Sequence, residues 1–172
     1  LDKTRIIITR EEIAGRVAEL AADISRDYQD KNPLLVGVLK GSFVFMSDLV
    51  RSINIPIEID FVRLSSYAAC TESSGRIRVL KKVETPIKGR HVLVVEDIVD
   101  SGCTLSYLLD CLKRRKPASI KVCALFDKPS RRKVEVPIDY VGFQIPDAFV
   151  VGYGLDFGEK FRHLPDLCIL EE

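Results

Sequence analysis

The chain has no tryptophan, one methionine and only two histidines, His91 and His163, in 172 residues. So little imidazole leaves almost no material for a histidine-based zinc site or a Ser-His-Asp triad. His91 reads as a strand-start residue and His163 as a surface one. An excess of charge of one sign is also missing. The 26 Lys and Arg nearly cancel the 25 Asp and Glu, for a net charge of +1, so no global attraction to nucleic acid or anionic lipid is expected. Any anion must be held locally. No apolar run is long enough to span a bilayer: the stretch from Leu34 to Met46 is broken by Lys40, Leu1 to Arg16 mixes charges with short apolar runs, and Ile169 to Glu172 carries no lipidation signal. The five cysteines, Cys70, Cys103, Cys111, Cys123 and Cys168, show no C-x-x-C pairing and read as reduced thiols in a cytoplasmic protein.

What is present alternates. Thr9 and Glu12 have capping-box spacing, and Ile13, Val17, Leu20, Ile24 and Tyr28 recur at steps of three or four, which predicts an amphipathic helix ending before Asn32-Pro33. Leu34 to Leu39 is a short continuous apolar run of the kind buried on both faces in a parallel sheet, and Met46, Leu49, Val50 and Ile53 give a second helical face. Ile57 to Leu64 and Arg76 to Val83 read as strands around a polar segment, Ser65 to Gly75, that is too long for a tight hairpin turn. His91 to Glu96 and Ser119 to Phe126 read as further strands, with a helix from Thr104 to Arg115 between them. The alternation predicts an α/β fold with a mostly parallel twisted sheet flanked by helices, in one domain over 1–172. After Pro137 short apolar pieces, Tyr140 to Phe143 and Phe149 to Val151, are separated by proline and glycines. This predicts a small irregular C-terminal cap, or hood, over about 138–172.

The most informative segment runs from His91 to Leu105. Four apolar residues lead to Glu96 and Asp97, then to Asp100-Ser101-Gly102-Cys103-Thr104 directly before a helix. Ligands of open α/β sheets bind beyond the carboxyl ends of strands, and a helix N-terminus offers free N–H groups to phosphate. Ser101 and Thr104 supply hydroxyls, and Gly102 permits close approach. The acids must serve something else, and sugar hydroxyls with a bridging divalent cation suit them. Taken singly, each acid is as readily a loop residue, and Asp100 or Ser101 a helix cap.

Together these residues closely resemble the phosphoribosyl-pyrophosphate signature of the type I phosphoribosyltransferases, with only the variable position, Cys103, occupied unusually. The resemblance runs from about Ile6 to Leu170 and points to the hypoxanthine-guanine salvage branch in its compact bacterial form. It implies transfer of a phosphoribosyl group from phosphoribosyl pyrophosphate to N9 of a 6-oxopurine, with Mg2+. It further implies that Glu96, Asp97, Asp100, Ser101, Gly102, Cys103 and Thr104 hold the phosphoribosyl group, with Asp100 as general base. Lys40-Gly41-Ser42 resembles the family's pyrophosphate loop, often built on a non-proline cis peptide at or next to the lysine, and Arg162 would reach the same pyrophosphate. Ser66 and Tyr67 resemble its lid. Lys128 corresponds to the donor to the purine 6-oxygen, Phe149 to the stacking ring and Val150 to a backbone contact at the ring edge. Asp156 would lie near the purine edge and join Glu96 and Asp97 around the metal. A homodimer or homotetramer is implied as well.

Two rivals differ in kind. A regulator on the same fold, binding phosphoribosyl pyrophosphate and nucleic acid, would need the basic clusters Lys113 to Lys116 or Arg131 to Lys133; the first reads better as a solvated helix end. A transferase for xanthine or a pyrimidine is argued against by Lys128 and Phe149. Gly152, Gly154 and Gly158 are wrongly spaced for a dinucleotide fingerprint, and no G-x-x-x-x-G-K-S/T string exists.

Overall fold

Strands that are apolar at every position need cover on both faces. The computed structural model, which describes residues 3–65 and 77–171, supplies that cover. In chain order the elements are β1 (Lys3–Ile8), α1 (Arg10–Asp27), β2 (Leu34–Leu39), α2 (Phe43–Ser52), β3 (Glu58–Leu64), β4 (Val79–Lys81), β5 (His91–Val99), α3 (Cys103–Lys113), β6 (Ser119–Asp127), a short 3-10 turn (Pro129–Arg131), β7 (Tyr140–Gln144), β8 (Val150–Val151) and β9 (Leu167–Glu171). The main sheet has the order β4-β3-β2-β5-β6-β7, with every pair parallel except the edge pair β3 and β4.

Alternation along the strands assigns each side chain to a layer. Leu35, Leu93, Val95 and Cys123 face the layer that holds α1 and α2, while Leu34, Val36, Val92, Val94 and Val122 pack with Leu105, Leu108, Leu109 and Leu112 of α3. Each side chain buried so fully is worth roughly 1.5–3 kcal/mol relative to exposure, which fixes the strand register that the site depends on. Helix α1 starts on the expected capping box: Glu12 N donates to Thr9 Oγ1 at 3.2 Å and Thr9 N donates to Glu12 Oε2 at 2.8 Å. The box partners the N–H groups of Thr9 and Glu12, and Arg10 N donates to Asp166 Oδ1 at 2.7 Å.

The hood differs from the expected boundary. Tyr140–Gln144 lies parallel to β6 and extends the main sheet. The second sheet, β1-β9-β8, is antiparallel and draws its outer strand from the far end of the chain, with Lys3 opposite Glu171 and Ile6 opposite Cys168. Lys3–Ile8 has four exposed positions and no apolar alternation, so local pattern could not identify it as a strand. Of the strand expected over Arg76 to Val83, only Val79–Lys81 pairs among the described residues. No helix among the described residues is long and apolar enough to cross a membrane.

Candidate active site

The strand order reverses between β2 and β5, from which the chain proceeds outward in opposite directions. The β2–β5 ladder ends at Gly37 and Val95, whereas β5 stays paired with β6 as far as Val99 and Asp127. Past the last shared rung the two strands part, and the resulting crevice is where an open α/β sheet binds its ligand. Glu96 and Asp97 belong to this unshared end of β5. Burial pushes both carboxyls up, Glu96 furthest, with the adjacent Asp97 charge adding to its shift.

Three loops meet beside these acids. After β2 the Leu39–Lys40 peptide is cis, at the position the resemblance implied. A Cβ on Gly41 would overlap the Asp97 carboxylate, and one on Gly154, whose φ is 98°, would overlap the carbonyl of Gly41. Glycine is therefore required at Gly154, where the neighbour is backbone, whereas at Gly41 a side chain would force the Asp97 carboxylate to move. The loop after β5 turns at Gly102, with φ at 83°, into helix α3. Ser101 Oγ accepts from Cys103 N at 3.3 Å, at the start of the helix.

A cleft of about 400 Å³ is lined by Asp97, Asp100, Lys128, Phe149, Val150 and Asp156, among others. Six residues singled out from the sequence therefore converge on one space. Lys128 is buried, and its ammonium donates to the Ala148 carbonyl at 2.6 Å. Phe149 is exposed, its ring edge-to-face with Phe157 at 5.4 Å between centroids. Asp156 joins the cleft to a charged network: its Oδ1 lies 3.1 Å from Arg162 Nη2, and its Oδ2 accepts from Glu159 N at 2.8 Å. Lys40, Gly41 and Arg162 stand outside the cleft lining, on the flank where Lys40 Nζ is 2.8 Å from Glu159 Oε2. The Lys40 and Arg162 partners hold the Glu159 carboxyl below its ordinary range. Ser66 and Tyr67 lie outside the described residues.

Several participants were not read from the sequence as parts of this site. Arg131 Nε reaches Asp100 Oδ1 at 3.3 Å and Arg131 Nη1 lies 3.7 Å from Asp147 Oδ1, tying the phosphate loop to the hood. Arg132 forms a buried ion pair with Asp127 and donates to the Asp100 carbonyl at 3.3 Å. Lys133 N and Val134 N donate to the Ser101 carbonyl at 2.8 and 3.1 Å. The basic run Arg131-Arg132-Lys133 thus braces the phosphate loop, which removes much of its value to a nucleic-acid surface. Arg115 of the other basic cluster is likewise engaged, by the carbonyls of Val83 and Thr85. Among the described residues Cys111, Cys123 and Cys168 are free thiols, while Cys70 lies outside them.

A phosphoribosyl transferase domain family matches residues 6–158. The chain is 48% identical over 170 residues to the hypoxanthine-guanine phosphoribosyltransferase of Bacillus subtilis, covering 99% of this chain and 94% of that one. The chain belongs to the phosphoribosyltransferase family, in its hypoxanthine-guanine branch. Solved phosphoribosyltransferases share its backbone. A hypoxanthine-guanine enzyme from Bacillus anthracis, with a HEPES molecule in its active site, superposes with a TM-score of 0.93 at 46% identity, covering 99% of this chain and all of that one. A hypoxanthine phosphoribosyltransferase from Trypanosoma cruzi, in complex with the product IMP, gives 0.90 at 42% identity, covering 99% and 95%. As a phosphoribosyltransferase of this branch, the chain is a transferase of purine salvage.

Proposed function

We propose that this chain joins N9 of hypoxanthine or guanine to the ribose of phosphoribosyl pyrophosphate in the crevice between β2 and β5, releasing pyrophosphate and giving IMP or GMP. The reading rests most heavily on one observation: Asp100, Lys128, Phe149 and Asp156 line a single cleft at the switch point of the sheet. The phosphoribosyl 5′-phosphate sits in the Asp100 to Thr104 loop against the start of α3, where Ser101, Thr104 and backbone N–H groups donate to it. Gly102 and Cys103 contribute backbone there. The ribose hydroxyls lie toward Glu96 and Asp97.

Lys128 holds the base by donating to its 6-oxygen. Adenine presents an amino group at that place, donor against donor, and is refused. Phe149 stacks on the ring and the Val150 backbone meets its edge. Asp100 accepts the proton that the purine gives up as N9 attacks the anomeric carbon. The carbon–pyrophosphate bond breaks as the carbon–N9 bond forms, and Lys40, the Gly41 backbone and Arg162 hold the departing charge. Ser66 and Tyr67 close over this centre as the resemblance implies, keeping water from the cationic sugar.

Glu96 and Asp97 suit a divalent cation, because two adjacent carboxyls pushed up by burial need a positive neighbour to ionise together. Among the described residues no three acids stand together as a metal-binding group, which corrects the expectation of a shared Glu96, Asp97 and Asp156 shell. Asp97 and Asp156, which both line the cleft, would hold the ion with substrate oxygens. Magnesium, when bound, neutralises the charge that builds on pyrophosphate. The same reading makes the chain a cytoplasmic homodimer or homotetramer that takes no nucleic acid and no membrane as partner.

The test is a spectrophotometric assay of purified protein with phosphoribosyl pyrophosphate and magnesium, offering hypoxanthine, guanine, xanthine, adenine and uracil in turn. Hypoxanthine and guanine are expected to turn over, and adenine and uracil are not. Adenine turnover at the rate of hypoxanthine would refute the role given to Lys128.

A further inference from the structure

Glu159 has no part in the reaction as described, yet its carboxylate occupies both cations assigned to the pyrophosphate. One oxygen, Oε2, lies 2.8 Å from Lys40 Nζ, and the other, Oε1, lies 3.0 Å from Arg162 Nη2. The first contact crosses the chain, since Lys40 follows β2 and Glu159 lies 119 positions further along; the second is local, three residues apart.

The backbone presents Glu159 deliberately. Phe157 and Lys160 exchange hydrogen bonds of 3.1 Å in both directions, which closes a tight turn with Gly158 and Glu159 at its tip. Glu159 has φ at 67°, a left-handed conformation that glycine adopts more readily than a residue with a side chain. Its N–H is fixed by Asp156 Oδ2. The side chain remains 63% exposed, so it can swing into solvent without opening the core.

Resting on the pyrophosphate reading of Lys40 and Arg162, we infer that Glu159 is a built-in stand-in for pyrophosphate, holding both cations in the free enzyme and giving them up when the polyphosphate enters. The negative charge of Glu159 repels an incoming phosphate and takes up donors of both cations, so pyrophosphate competes with Glu159 for them. A ligand that competes with an internal partner binds more weakly by the fraction of molecules in which that partner is engaged. The device keeps the two cations in place and paired while the site is empty. It also helps expel pyrophosphate after transfer, since the carboxylate returns to the same donors.

The experiment is calorimetric titration of the intact protein with inorganic pyrophosphate in the presence of magnesium, comparing the parent with Glu159→Gln, Glu159→Ala, Lys40→Ala and Arg162→Ala. Melting temperatures establish that each variant is folded. Both Glu159 variants are expected to bind pyrophosphate about three- to tenfold more tightly, the scale set by removing exposed ion pairs. Lys40→Ala and Arg162→Ala are expected to bind it more weakly. Unchanged or weaker binding by both Glu159 variants, with the cation variants still impaired, would show that Glu159 only shapes its turn. Parental affinity in both cation variants would overturn the pyrophosphate reading itself, and the stand-in with it.

Discussion

On the proposed base side of the crevice Lys128 is buried and its ammonium donates to a backbone carbonyl, whereas on the proposed pyrophosphate side Lys40 is 46% exposed and held by another side chain. The base wall is set by β6, by the buried Arg132–Asp127 pair and by the braced loop from Lys128 to Val134. The pyrophosphate flank is an ion-pair network of Lys40, Asp156, Glu159 and Arg162 that side-chain rotation alone can rearrange. A flat neutral base is recognised by shape and by a fixed donor, for which a rigid wall suffices. A highly charged leaving group must be gripped and then released, which calls for contacts that exchange.

That difference can be attacked from either side. The largest effect is expected for Asp100→Asn, which keeps the shape of the phosphate loop and removes the base: turnover should fall about 10²- to 10⁴-fold, with pyrophosphate affinity in calorimetry unaltered. Arg132→Met breaks a buried ion pair and leaves Asp127 uncompensated, at a cost of about 3–5 kcal/mol in chemical denaturation; loss of the rigid wall should then appear as a raised KM for the base. Gly41→Ala strikes where the two sides join. Its Cβ meets the Asp97 carboxylate, which must move, and kcat/KM should drop about 10²-fold while the melting temperature barely moves. The smallest effect is expected for Phe157→Leu, which removes the ring edge that orients Phe149. An aromatic pair of this kind is worth about 0.5–1.5 kcal/mol, so KM for hypoxanthine should rise a few-fold and KM for phosphoribosyl pyrophosphate should not.

The same contrast governs how much could be read from the sequence. Leu34–Leu39, His91 to Glu96 and Ser119 to Phe126 were legible because burial on both faces favours apolar runs, and α1 because its capping box and periodicity are local; the structure carries the second strand on to Val99 and the third to Asp127. The cleft residues Asp100, Lys128 and Phe149 were legible because they sit in strings whose order resembles a known family. Lys3–Ile8 was not, since its strand character comes from β9, more than 160 positions away. Arg131 and Arg132 read only as part of a basic cluster, and Glu159 carried no signal of its own; their roles are set by Asp100, Asp127 and Lys40, which only the fold brings near. Gly41 was legible as part of the pyrophosphate-loop resemblance, but its close approach to Asp97 and to Gly154 shows only once the three strand-end loops are stacked.

The most direct measurement is a paired one on Lys128→Ala and Lys40→Ala: KM for hypoxanthine by steady-state assay, and affinity for pyrophosphate by calorimetry, on the same preparations. If the two sides are separately built, Lys128→Ala raises the KM for hypoxanthine by about 10- to 100-fold and leaves pyrophosphate affinity at the parental value. Lys40→Ala does the reverse. Equal damage to both ligands in both variants would contradict the division of the crevice into a fixed base wall and an exchangeable pyrophosphate flank.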